Sequence, residues 1–367
     1  MKVLLFTIEY PPFKGGVANY YENVAKHWLK PDDIFVLANG NIASTNKKTE
    51  YKNLISNLIY PKWLFSFYYL FLNILKNKID HILVGQILPL GLVTYIVSKF
   101  TSTKYSTILH GMDFTFALRK KRKRFIAKLI LTNSQRIICS NSYVAQLAKD
   151  FLGAKYFDKI IVVNPGIDNN FSYDKNIADS LIKKHNLQDK IILLSVGRLV
   201  KRKGFDKVVE VIGDVTKTIP NLLYVLAGKG PDEEHIKSFQ KDANNILYLN
   251  NLSDDEKWAW LALSDIFITA SRDIDGDFEG FGIVYLEAYL AGKPVIAGNS
   301  GGVSDAVRDN YSGLLINPDD NEEIKKAIIT LALNKELRVT LGSQGQKMAI
   351  EEFNWQNQIN KIYNSIN

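Results

Sequence analysis

A single cysteine, Cys139, stands in 367 residues, which excludes a disulfide framework and fits a reducing cytoplasm. No apolar run approaches the ~20 residues that a membrane-spanning helix needs. The apolar start Met1-Lys2-Val3-Leu4-Leu5-Phe6 runs into Glu9 and Pro11-Pro12 without a small-residue cleavage site. A first core strand is expected there rather than a signal peptide. Repeats and low-complexity segments are absent apart from one basic cluster. Acidic residues are scarce in the first half: residues 1–168 hold 23 Lys+Arg and 10 Asp+Glu, a net of +13. Residues 169–367 hold 23 and 28, a net of −5, so an anionic surface is expected to meet the first half.

What is present is a soluble globular composition, 46% hydrophobic and 23% charged, in a chain too long for one ordinary core. Strand, loop and helix signals alternate. Residues 3–8 read as a strand, 11–16 as a loop and 17–29 as a helix stopped by Pro31. Strands follow at 34–37, 82–85, 105–109, 137–139 and 160–163, with an aromatic helical stretch at 63–75. Asn164-Pro165-Gly166-Ile167-Asp168 then punctuates a boundary. The alternation restarts with strands at 191–196, 222–227, 246–249, 266–269, 295–297 and 314–316. Helices are expected at 206–215, 232–243, 321–332, 335–349 and 354–366. The fold class is therefore α/β, with two doubly wound domains facing across a cleft.

Glu279-Gly280-Phe281-Gly282-Ile283-Val284-Tyr285-Leu286-Glu287 places two carboxylates around a glycine turn that opens a helix. Such a turn exposes backbone N–H groups and the positive end of the helix dipole, which suits a diphosphate. Glu279 precedes the helix and Glu287 lies about five residues into it, so the pair is spread along the axis. Arg198 and Lys203, in Gly197-Arg198-Leu199-Val200-Lys201-Arg202-Lys203-Gly204, follow a strand end and could neutralise a leaving diphosphate. A solvated basic turn is the competing reading. Gly15 and Gly16 allow backbone to approach a phosphate, or make a plain turn, and Gly228-Lys229-Gly230 is equally ambiguous. His110, at a strand edge, can donate a hydrogen bond to a sugar hydroxyl or serve structure alone.

Taken together, the Glu-x7-Glu span, the Gly-Arg-Leu-Val-x-Arg-Lys-Gly segment, the first-loop glycines, His110 and Pro165-Gly166-Ile167-Asp168 resemble glycosyltransferase family 4. That family comprises retaining enzymes of the GT-B architecture. The run from Phe278 to Ala288, with Gly292-Lys293-Pro294-Val295 and Ser300-Gly301-Gly302, is most similar to the mannosyltransferase branch acting on phosphoinositol lipids. The resemblance implies an N-terminal acceptor domain at 1–168, a nucleotide-sugar domain at 169–350 and a last helix at 351–367 crossing back. It implies that Glu279 binds the donor sugar's 3- and 4-hydroxyls, near the N–H groups of Gly280, Phe281, Gly282 and Ile283. Glu287 would hold the ribose, Arg198 and Lys203 the diphosphate with Gly16, and His110 the 6-hydroxyl. The base would lie near Asn251-Leu252-Ser253. Front-face attack, with the leaving phosphate taking the acceptor's proton, needs neither a covalent nucleophile nor a metal. Asp275-Gly276-Asp277, with Asp273, copies a metal-binding Asp-x-Asp of another glycosyltransferase fold, but no metal or cofactor is expected here.

Arg119, Lys120, Lys121, Arg122, Lys123 and Arg124 form the basic cluster, beside Phe125, Ile126, Leu129 and Ile130. A basic amphipathic helix of this kind suits an anionic membrane surface, and no nucleic acid is expected. Trp63, Phe67, Leu70 and Ile74 could add an apolar contact, or simply pack in the core. The expected protein is a hexosyltransferase on the inner face of the cell membrane, with GDP-mannose as donor and a lipid-linked or polysaccharide acceptor. A UDP-hexose donor, a nucleotide-sugar epimerase, a two-carboxylate hydrolase and a silent membrane-surface binding protein are the rivals.

Overall fold

Short apolar runs bounded by turn residues become strands buried on both faces, which is what a parallel sheet with helical crossovers demands. A computed structural model describes residues 1–13, 15–42, 48–55, 60–240 and 244–367. Lys14 of the glycine loop and residues 241–243 of the helix expected at 232–243 lie outside the described residues. Two compact units result: Met1–Gly166 with Trp355–Asn367, and Ile167–Asn354.

Unit 1 holds β1 (Val3–Thr7), β2 (Ile34–Asn39), β3 (Thr49–Lys52), β4 (His81–Val84), β5 (Lys104–Leu109), β6 (Ile137–Cys139) and β7 (Ile160–Val162). All pairings are parallel, in the order β3-β2-β1-β4-β5-β6-β7. Every residue of β1 is buried. Unit 2 holds β8 (Ile191–Val196), β9 (Leu222–Ala227), β10 (Ile246–Leu249), β11 (Ile266–Thr269), β12 (Val295–Gly298) and β13 (Gly313–Ile316). They too are parallel, in the order β10-β9-β8-β11-β12-β13. The winding direction reverses between β1 and β4 in the first sheet and between β8 and β11 in the second. Loops leaving the carboxyl ends of those strands are where open α/β sheets take ligands.

In unit 1, helix α1 (Gly16–Lys26) buries Ala18, Tyr20, Tyr21 and Val24. The helix Trp355–Ile366 packs Trp355, Ile359, Ile362 and Ile366 into the same cluster, so it is part of this unit's core. Helices α2 (Leu64–Asn77), α3 (Leu92–Ser98), α4 (Met112–Leu118) and α5 (Lys121–Asn133) pack in sequence, α2 on α3, α3 on α5 and α5 on α4. Of the α2 face open to either an apolar contact or core packing, Trp63 and Phe67 are half-buried and two residues take the core. Leu70 and Ile74 are buried, and the exposed stripe is instead Leu64, Tyr68, Leu72 and Leu75. Spacings of four, four and three residues put those side chains on one side of the helix. Strand β3, Thr-Glu-Tyr-Lys, and the helices Leu92–Ser98, Ser142–Leu152 and Asp254–Leu263 were not expected from the sequence.

Candidate functional site

In unit 2 the loops after β8 and β11 meet at the reversal point. The first carries a short 3-10 turn, Lys201–Lys203, ending at Gly204, which opens the helix Phe205–Thr218. Gly204 has φ +65°, and a Cβ there would lie 1.8 Å from the Ala270 carbonyl oxygen at the end of the second loop's strand. Only glycine permits both that conformation and that approach. The two loops are joined again where the Arg272 N–H donates to the Arg202 carbonyl at 2.8 Å. Arg272 also pairs with Asp206 at 2.7 Å.

This junction delivers a buried ion cluster. Glu279 Oε2 accepts from Arg202 Nη1 at 2.9 Å and is ion-paired with Lys203 Nζ. Arg202 Nε lies 3.2 Å from Asp277 Oδ1, so one guanidinium ties two carboxylates together. Glu279 is 8% exposed and Lys203 9%. Burial works to raise the Glu279 pKa, but the charges of Lys203 and Arg202 outweigh it and hold the carboxyl below its ordinary value. The backbone of Glu279 is clamped as well, because its carbonyl accepts from Gly302 N at 3.0 Å. The turn that makes this possible has Gly301 at φ +58°.

Gly280, Phe281 and Gly282 lead from Glu279 into the helix Ile283–Leu290, with Gly282 as its N-cap residue. Phe281 anchors the segment by packing edge-on to Phe353, with ring centroids 5.4 Å apart. Ile283 is exposed at the first helical position. Tyr285 is fully buried, and its hydroxyl lies 2.6 Å from Thr269 Oγ1, which fixes the helix to the end of β11. Glu287 is half-buried and accepts from Lys257 Nζ at 2.9 Å. Lys257 sits on the helix Asp254–Leu263, whose start is fixed by a reciprocal cap between Ser253 and Glu256. Leu252 precedes that cap and packs against the unit's core. The structure thus brings Glu279 and Lys203 together, while Arg198 is exposed in the same loop.

Neighbouring motifs acquire plain structural work. Gly228 and Gly230 lie against the first loop, where a Cβ would fall 1.8 Å from Gly197 O and 2.1 Å from Leu199 O. Their part is close backbone packing. The Asp273–Asp277 segment is a tight turn in which Asp273 Oδ1 accepts from Gly276 N at 2.7 Å. Asp277 faces Arg202. Among the described residues no group of three or more His, Cys, Asp or Glu side chains is placed to hold a metal ion.

Unit 1 has its own constellation at its reversal point. Gly15 and Gly16 form the N-cap and first residue of α1, with Gly16 exposed. His110 directly follows β5 and is half-buried, and its Nε2 lies 2.8 Å from the Tyr21 hydroxyl. That hydroxyl in turn donates to the carbonyl of Gly85, just after β4. Gln86 ties the ends of β1 and β4, its Oε1 accepting from Ile8 N at 2.8 Å. Arg202, Lys257, Tyr21 and Gln86 were missed as site residues. Arg202 lay inside a quoted segment, whereas the Tyr21 and Gln86 contacts join distant parts of the chain.

The model of the family described as glycosyl transferases group 1 matches residues 178–348. An uncharacterized glycosyltransferase of Methanocaldococcus jannaschii is 28% identical over 379 residues, covering 100% of this chain and 99% of that protein. The GDP-mannose-dependent alpha-(1-6)-phosphatidylinositol monomannoside mannosyltransferase of Mycobacterium tuberculosis is 30% identical over 289 residues, 77% of this chain and 74% of the relative. Among solved structures, Anabaena HepE in complex with UDP has a TM-score of 0.82 at 18% identity, covering 100% of this chain and 99% of its own.

Proposed function

The chain belongs to the glycosyl transferases group 1 family and is a glycosyltransferase of GT-B fold, and from that membership we propose the rest of its chemistry. The reaction is transfer of a hexose, mannose from GDP-mannose, to a lipid-linked or polysaccharide acceptor in cell-surface glycan assembly, with anomeric configuration retained. The observation that carries this reading is Glu279, held ionised and buried between Lys203 and Arg202 directly before a helix N-terminus. A fixed carboxylate accepts hydrogen bonds from adjacent sugar hydroxyls, and the amide end of the helix beside it suits the diphosphate. The choice of mannose is supported by the named activity of the mycobacterial relative.

In the proposed step the acceptor oxygen bonds the anomeric carbon on the face from which the diphosphate departs. The carbon–oxygen bond to phosphate breaks with its electron pair passing to the phosphate oxygen, which takes the acceptor's proton. Negative charge grows on that oxygen, and cations aimed at it lower the barrier. Arg198 is exposed and available for the phosphates, and Lys203 has two further ammonium hydrogens beyond the one facing Glu279. Glu287 holds the ribose, with Lys257 fixing its carboxylate. No residue in this scheme forms a covalent sugar ester, and no metal is required.

The reading includes a place of work, the inner face of the membrane. Among the described residues no helix is long and apolar enough to cross a bilayer. Instead Lys121, Arg122, Lys123 and Arg124 crowd the first turn of α5, where the helix dipole opposes positive charge. An anionic surface relieves that opposition. Phe116 and Phe125, 50% and 71% exposed, flank the cations, and the exposed stripe of α2 supplies further apolar contact.

The test is equilibrium binding of GDP-mannose, UDP-glucose and UDP-N-acetylglucosamine, followed by product analysis with lipid-linked acceptors. GDP-mannose should bind best and give a product with the donor's configuration. An inverted product, or no affinity for any of the three, would sink the proposal.

A further inference from the structure

The hydrogen-bond chain at the reversal point of unit 1 decides which nitrogen of His110 carries its proton. The Tyr21 hydroxyl donates to the Gly85 carbonyl oxygen, a group with no hydrogen to give. A phenol has one proton. The same oxygen must therefore receive in its 2.8 Å contact with His110 Nε2, which makes Nε2 the protonated nitrogen. Burial pushes the imidazole pKa down to about 4, so at neutral pH the ring holds a single proton and Nδ1 keeps its lone pair. Among the described residues no group bonds Nδ1.

The surroundings hold this arrangement in place. Tyr21 is fully buried on α1. The rings of Tyr20 and Tyr21 stand edge-on to the imidazole, at centroid distances of 4.9 Å and 5.2 Å. Asp113 Oδ1 accepts from the backbone N–H of both His110 and Gly111 at 3.2 Å, which fixes the main chain bearing the ring. Gly85 leaves room for the phenol: a Cβ there would lie 2.8 Å from Thr7 Oγ1 and 3.0 Å from Tyr21 Cζ.

We propose that Tyr21 is a positioning residue that locks His110 in the Nε2–H form, so that the ring offers an acceptor, Nδ1, to a ligand hydroxyl that must donate. This reverses the donor role expected from the sequence. That the hydroxyl is the donor sugar's rests on the function proposed above.

The tautomer is read by two-bond proton–nitrogen correlation on ¹⁵N-labelled protein at neutral pH, with His110 assigned by its disappearance in His110→Gln. Nε2 should show the protonated shift and Nδ1 the lone-pair shift. In Tyr21→Phe the two forms should mix, and Tyr21→Phe should weaken kcat/KM about tenfold, the scale of one lost hydrogen bond. A GDP-mannose analogue with fluorine in place of the 6-hydroxyl, which cannot donate, should bind wild type about tenfold more weakly than GDP-mannose and His110→Ala no differently. A lone-pair shift at Nε2 in the wild-type protein overturns the proposal whatever the ligand. The expected tautomer with no nucleotide sugar bound supports the lock and overturns the functional reading instead.

Discussion

Glu279 stays charged in a buried site because two cations outweigh its loss of water, and removing its charge leaves Lys203 buried opposite nothing. Breaking a buried pair in this way costs about 3–5 kcal/mol. The sign with pH follows from the lowered pKa. Its contribution is full above the unfolded glutamate's pKa and is lost as pH falls through the folded value. Chemical denaturation should therefore separate Glu279→Gln from wild type widely at neutral pH and bring the two together in acid. Equal separation at both pH values would contradict the assignment. The same variant should lose sugar transfer, whereas Lys203→Ala keeps Arg202 as counter-charge and should lose activity with a smaller loss of stability. Asp113 runs the other way. Burial raises its pKa to about 6 against the backbone N–H groups that lower it, so it withdraws stability as pH rises from the ordinary aspartate range to about 6. Thermal melts of Asp113→Asn across that interval should show a flatter profile than wild type. At this scale the pairing of Glu279 with Lys203 was legible, because both stand in motifs at strand ends. Arg202 stood unassigned beside them, since nothing local says which of four nearby cations turns inward. Tyr21 was out of reach, as its partners lie 64 and 89 residues away.

Elements were legible where burial is two-sided. The apolar runs of β8, β9 and β11 have the bounds the pattern predicts, because a central strand covered on both faces is almost wholly apolar. Strand β3 escaped because Thr-Glu-Tyr-Lys is an edge segment with one buried residue. The helix Asp254–Leu263 carries a readable start signal, Ser253 followed three residues later by Glu256. Loop junctions were legible only as glycines, not as contacts. Gly204 shows the difference: with φ +65° and the Ala270 carbonyl 1.8 Å from where a Cβ would stand, Gly204→Ala must move one loop away from the other. A fall in Tm together with weakened nucleotide-sugar binding is expected. An alanine variant with wild-type affinity would show that the junction does not hold the site.

At the scale of the molecule, charge is the feature most easily read ahead of structure, because it needs no coordinates. The excess of cations in residues 1–168 is concentrated where Arg119 to Arg124 end α4 and begin α5. Attraction from such exposed charges fades over about 8 Å at physiological ionic strength. Flotation with phosphatidylserine-containing vesicles should therefore decline steeply with salt. It should drop further in a Lys121→Glu, Lys123→Glu double variant, and Leu72→Ser, Leu75→Ser should weaken the salt-resistant remainder. Retention indifferent to all of these would assign the cluster another task. The two parallel sheets were anticipated from alternation, but α2's exposed side was not, since an amphipathic pattern says that a helix has two faces without saying which one finds a neighbour.

The chain leaves unit 1 at Gly166 and re-enters it at Trp355. Trp355, Ile359 and Ile362 lie against Tyr20, Tyr21 and Trp28, so one wall of the first core is supplied by residues made long after the rest. During translation unit 2 has all its parts as soon as Asn354 emerges, while the earlier-made sheet waits with that wall open. A nascent chain halted before Trp355 should thus hold a finished second unit and a protease-sensitive first one, and assembly should run opposite to the order of synthesis.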